Sequence, residues 1–240
     1  MKKVSDKLSG RASARSQLYQ LLALGFVHPV KEFHRVLVNG SYPLALARAA
    51  HAAFGIDTVV GQARSRYADY EADYIHLFQV GKRGQPYVHL NACDYKDLLG
   101  SGSRPEFLLE YSGWYRHFGL KINEDGHANE FPDHIVCQLE FLAWLAHLEQ
   151  NSEDKPELQQ GYQCAQRDFS ERHLRQFLEL VSSALQKESQ QSPVSPFFLN
   201  LSTLALEAVT AMENQFNRAL GDSVGQIHNP DQIASVNLWG

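Results

Sequence analysis

Two carboxylates and an imidazole, Glu130, Asp133 and His134, stand together at the mouth of the apolar run EFPDHIVCQLEFLAWLAHLE (130–149). Carboxylates fixed at the start of a rigid helix can accept paired hydrogen bonds from a planar guanidinium, a geometry that an ammonium group does not match. A blander chemistry fits the same residues. Pro132 suits the first helical position, and Asp133 in the first turn complements the positive end of the helix dipole. Metal binding or acid–base chemistry by His134, Asp133 and Glu130 is a third reading. Spacing alone does not choose among them.

Aromatic residues supply a second candidate surface. Tyr67, Tyr70, Tyr74, Leu77 and Phe78 recur at helical spacing within VVGQARSRYADYEADYIHLF (59–78). Spacing of this kind reads first as core packing. Tyrosine is also favoured where one end of a ring is buried and the other wet, as in a peptide groove. Pro86 and Tyr87, in the loop that follows, would then form an opposing wall.

Enzyme signatures are weak. The chain contains no GxxxxGK[ST], GxSxG or HExxH. Asp73–His76 and Glu124–His127 are acid-x-x-His pairs, but the second falls in a glycine-containing loop, whereas a di-iron bundle site needs two such pairs on helices plus two further glutamates. No catalytic residue, metal ligand or cofactor is assigned.

The elements that must carry these residues are helices. Helical periodicity extends over 13–29, 42–54, 59–78, 105–120, 130–149, 162–186 and 196–220, with loops at 79–105 and 121–129 and a linker at 187–196. The 79–105 loop has room for a turn of helix. The 130–149 stretch is apolar around most of its circumference, which places it in the middle of the fold. The expectation is an all-α, single-domain helical bundle of about eight or more helices. It comprises a flexible N-terminus (1–12), a helical domain (13–220) and a polar C-terminal tail (221–240). The 187–196 linker also suggests a hinge through which a monomer could exchange helices with a second copy.

The formal net charge of −5 over 240 residues argues against a nucleic-acid binder and favours a cationic partner. Three widely spaced cysteines suit reduced thiols. The basic N-terminus is not followed by an apolar signal core, and the run Leu18–Val27 is too short to span a bilayer. A cytoplasmic location without membrane insertion is expected.

YIHLF (74–78), PY (86–87), WYRHFGL (114–120) and EFPDHIVCQLEFLAWL (130–145) occur in this order in an all-helical chain. Together they resemble the TorD/DmsD/NarJ family of molybdoenzyme assembly chaperones, most closely the branch serving type II enzymes of the dimethyl sulfoxide reductase family. The likeness covers roughly residues 13–220 and is most specific over 70–148. It implies a chaperone, not an enzyme. Such a chaperone binds the twin-arginine signal peptide and apo form of a molybdoenzyme catalytic subunit while the molybdenum cofactor is inserted before export. By position, Asp133 and His134 match the family's aspartate–histidine pair; Tyr74, Leu77 and Phe78 match its aromatic-x-x-Leu-Phe element; Pro86 and Tyr87 match its proline–aromatic pair. Gln138 departs from a common glutamate, leaving Glu140 as the expected inner acid of that helix. On this reading Asp133 and Glu130, flanking Pro132, engage the arginine pair. His134 orients Asp133 or gates binding with pH, and the aromatic set receives the apolar stretch. The alternatives are a NarJ-like chaperone of a non-exported subunit and a metal-dependent enzyme.

Overall fold

The structure, a computed structural model, describes residues 2–61, 63–81, 84–120 and 131–221, with side chains from residue 10 onward. Its helices are α1 (Lys2–Phe26), α2 (Lys31–Val38), α3 (Ser41–Phe54), α4 (Tyr67–Phe78), the single turn α5 (Lys96–Leu99), α6 (Arg104–His117), α7 (Ile135–Gln150), α8 (Pro156–Phe169), α9 (Arg175–Ser189) and α10 (Phe197–Leu220). Among the described residues, extended pairing is limited to one isolated bridge between Asn91 and His134. The expected all-α architecture is the one observed.

Local chemistry explains several boundaries. At the start of α6, the Ser103 backbone N–H and hydroxyl both donate to Glu106, at 2.7 and 2.8 Å, with Pro105 in the first turn. α3 ends at Gly55, whose φ of 71° a side chain would disfavour. α7 occupies the centre, packed on α1 and α8. Its residues Ile135, Leu139, Leu142 and Leu145 are fully buried. α10 packs against α9, α8 and α1.

A charged network ties these layers together. The Arg15 guanidinium of α1, with 1% exposure, pairs with Glu149 of α7. Glu149 also accepts from the side-chain amides of Gln163 and Gln166 on α8, at 2.7 and 2.8 Å. The Arg15 guanidinium lies over the Phe216 ring, 5.0 Å from its centroid. Three helices therefore share one buried carboxylate.

The helix expected from residue 13 begins at Lys2, and the one expected over 59–78 begins at Tyr67. The helix expected from residue 162 starts earlier, as α8 at Pro156, since proline tolerates a first turn. α8 and α9 join through a π-helical turn (Ser170–Leu174). α2 escaped the sequence reading because eight residues carry too little periodicity. Glu140, the expected inner acid, is exposed, and Glu149 occupies that role. The 187–196 linker is tied down: Arg64 donates to the Pro193 carbonyl, and Ser195 N–H donates to Asp73 at 2.9 Å. The expected tail beyond residue 221 and the loop over 121–129 lie outside the described residues.

Candidate functional site

Pro132 and Asp133 precede α7, whose N-cap is His134, so neither occupies the first helical turn. The reason is lateral hydrogen bonding. Asp133 is 0% exposed, and its carboxylate accepts from Cys93 N–H at 2.9 Å and from the Asn91 side-chain amide at 3.1 Å. Its carbonyl accepts from Ala92 N–H at 3.2 Å and from the Gln138 amide at 2.8 Å. Ile135 N–H reaches the Leu90 carbonyl at 2.9 Å, and the Tyr115 hydroxyl donates to the Pro132 carbonyl at 2.6 Å. The triplet is a clasp that joins the 88–95 segment, α6 and α7. The carboxylate expected to meet an arginine pair is thus enclosed, its hydrogen bonds made within the chain. Burial, helped by the neighbouring Asp133, pushes the Cys93 thiol up to about 12. Glu130 lies outside the described residues.

His134 caps α7 by accepting Val136 N–H on Nδ1 at 3.3 Å. Desolvation outweighs the adjacent Asp133 charge and lowers its pKa to about 4. The imidazole expected to gate binding with pH is therefore neutral well into the acidic range. The unfolded chain binds this proton more tightly than the folded one. The stabilisation is full above about 6.5 and lost as pH falls through about 4, with an upper bound of roughly 3 kcal/mol. Burial lowers His173 in the same direction. His134→Asn keeps a capping acceptor without titrating. It is expected to flatten the decline of melting temperature between pH 6.5 and 4; a slope equal to the wild type would contradict this assignment.

The aromatic stripe is core. Tyr74, Leu77 and Phe78 are buried, with exposures of 5%, 0% and 8%. The Tyr74 hydroxyl donates to the Phe26 carbonyl at 3.1 Å, and its ring meets Phe78 and Phe198 at centroid distances of 5.0 and 5.8 Å. These residues, expected to line a groove, lock α4 to the end of α1 and the start of α10. Tyr87 remains at the surface, its ring 4.8 Å from that of His76, and Pro86 beside it is half-buried. At the turn before them, a Cβ on Gly81 would approach the Gln85 carbonyl to 2.4 Å, so that loop requires glycine.

An apolar groove of about 400 Å³ opens elsewhere, between the end of α6, the end of α7 and the length of α8. Trp114, Phe118, Leu148, Leu158 and Tyr162 line it, and Gly161 leaves open space where a side chain would stand. The Trp144 indole donates to the Phe118 carbonyl at 2.9 Å and fixes one wall. Glu157 and Asp168 mark the groove at the two ends of α8. The sequence reading missed this site. Its signal was the stripe Leu158, Gly161, Tyr162 and Ala165, at helical spacing in a segment otherwise polar.

A second hollow of about 590 Å³ lies between α1, α3 and α10, where Arg11, Arg218, Asn214 and Gln215 stand beside the apolar Phe54, Ala211 and Ala219. Among the described residues, no group of three or more His, Cys, Asp or Glu is placed to hold a metal ion. No described helix is long and apolar enough to cross a membrane.

The family described as the nitrate reductase delta subunit matches residues 44–182. The chain is 35% identical over 246 residues to the dimethyl sulfide dehydrogenase assembly chaperone protein of Rhodovulum sulfidophilum, covering 98% of this chain and 96% of that relative. It is 30% identical over 210 residues to the perchlorate reductase assembly chaperone protein of Dechloromonas aromatica (strain RCB), covering 84% and 89%. The selenate reductase assembly chaperone protein of Thauera selenatis is 35% identical over 108 residues, covering 45% of this chain and 53% of the relative. No solved structure matches the chain.

Proposed function

This chain belongs to the nitrate reductase delta subunit family, the TorD/NarJ group, and from that premise we propose that it is an assembly chaperone for the catalytic subunit of a molybdoenzyme. The observation that carries this reading is the end-to-end likeness to a relative named for that role, over 98% of this chain. The chain acts by holding its client, not by catalysis. It binds the apo catalytic subunit in the cytoplasm and engages the signal peptide while the molybdenum cofactor enters. An aromatic-lined groove in a chain of net charge −5 is the surface expected of a receptor for an apolar segment with a cationic end.

Co-expression tests the reading. The host's type II molybdoenzyme catalytic subunit is expected to co-purify with this chain and to lose most of its molybdenum when the chain is omitted. A client that reaches full molybdenum content without it would sink the proposal. A signal peptide titration in which Lys-Lys replaces the arginine pair separates an exported client, which shows discrimination, from a non-exported one.

A further inference from the structure

We propose that the hollow between α5, α6, the π-helical turn and α9 binds a divalent transition ion of the zinc class, held by the His173 imidazole and the Glu110 carboxylate with Gln176 beside them. Such a site stands apart from client binding and does not depend on it.

Geometry comes first. The hollow, of about 200 Å³, has apolar walls from Leu98, Phe107 and Tyr111, and Glu110, His173 and Gln176 also line it. His173 is 4% exposed. Among the described residues, neither of its ring nitrogens makes a hydrogen bond of ordinary geometry, nor does Glu110 Oε1. Yet His173 Nε2 stands 3.2 Å from that oxygen. Two atoms this close, but not aligned as donor and acceptor, have the spacing of neighbouring ligands on one ion. Zinc bonds of roughly 2.0–2.1 Å place adjacent tetrahedral ligands about 3.3 Å apart. Buried polar atoms left without a hydrogen bond carry a desolvation cost that a bound ion relieves.

The donor chemistry agrees. A metal takes a neutral imidazole and an ionised carboxylate. Burial outweighs the Glu110 charge and lowers the pKa of His173. Burial opposes ionisation of Glu110, but His173 and Arg172 outweigh it and lower that pKa too. Both groups therefore hold their ligating form at neutral pH. Contacts with Tyr111 and Phe169, at centroid distances of 4.5 and 5.2 Å, fix the imidazole ring. Gln176 follows His173 by three positions, a neighbouring place on a helix, and carries a side-chain oxygen. At about 30 Å³ per water, the hollow has room for the waters that complete the coordination. His173 itself sits on the π-helical turn, a distortion that recurs at functional sites.

Arg172 is the competitor. Its guanidinium pairs with Glu110, yet its side chain is 62% exposed, so it can swing into water without opening the core. An ion at Glu110 displaces it.

The test is calorimetric titration of the full chain, free of any affinity tag and stripped with a chelator, with Zn²⁺ alone. One equivalent is expected to bind. The melting temperature is expected to rise by roughly 5–10 °C at free zinc near a hundred times Kd. Glu110→Gln and His173→Gln are each expected to weaken binding at least about tenfold, the loss seen when even an outer partner of a metal ligand is removed. Arg172→Ala is expected to tighten binding roughly threefold, because the competing surface pair is gone. His51→Gln removes an exposed histidine paired with Asp57 and is expected to bind like the wild type. No saturable binding by the wild type would overturn the site. Wild-type affinity in Glu110→Gln, or loss of binding in His51→Gln instead, would assign the zinc to the surface and equally overturn it. Arg172→Ala binding no more tightly than the wild type would do the same. Should His173→Gln fail to fold, Glu110→Gln, at a partly exposed position, decides alone.

Discussion

Replacing Glu149 with leucine is expected to lower the unfolding free energy by about 3–5 kcal/mol, the cost of leaving one member of a buried ion pair uncompensated. Arg15 has 1% exposure, so its guanidinium cannot recover water without displacing the α1–α7 contact. The amides of Gln163 and Gln166 lose their acceptor at the same time. For a chain of this size the melting temperature is expected to fall by roughly 6–20 °C. A double variant, Arg15→Met with Glu149→Leu, removes both charges and is expected to regain much of the loss, because apolar replacement of a whole buried pair is often neutral or better. Melting of the single variant at the wild-type temperature would show that this network carries no stability.

Asp133→Ala is expected to have the second largest effect. Two charge-assisted hydrogen bonds disappear, and the Cys93 N–H is left buried without a partner, which together cost roughly 2–5 kcal/mol. The damage should concentrate in the 88–95 segment. Amide exchange at Ala92 and Cys93 is expected to accelerate, and Cys93, inert while burial pushes its thiol up to about 12, should become open to alkylation. Cys137 and Cys164 are half-buried and set the background rate. If Asp133 instead met an arginine at the surface, the variant would keep wild-type stability and a protected Cys93 while losing only peptide binding. The two roles thus give opposite results in one pair of measurements.

These predictions separate what the chain specifies locally from what the fold assigns. Helical periodicity determined α3 and α10 to within one residue at each end and placed the bodies of α6 and α7, because intrahelical bonds and apolar spacing act over three or four positions, but it started α7 five residues early and ended α6 three residues late. The ring of apolar residues on the 130–149 stretch likewise determined that α7 is central, since no orientation of such a helix leaves its surface in water. The family resemblance carried by residues 70–148 rested on short motifs in order and needed no coordinates.

Tertiary structure decided which way the polar residues of those motifs face. Asp133 is legible in the sequence as a carboxylate beside a helix start, but its partners Asn91 and Cys93 lie 42 and 40 positions away. Only the approach of the 88–95 segment turned it inward. Tyr74 and Phe78 carry the spacing of core or of a groove equally well, and the arrival of Phe198 settled them as core. Glu140 and Glu149 lie on the same helix with similar neighbours in sequence, and Glu149 is the buried one because Arg15 of α1 meets it there. The groove itself belongs to no single segment: α6, α7 and α8 each contribute a wall, and a cavity between three helices has no counterpart in the periodicity of any one of them. Local bonding fixes helices from nearby residues, whereas burial, hydrogen-bond partners and concavity depend on contacts between residues far apart in the chain.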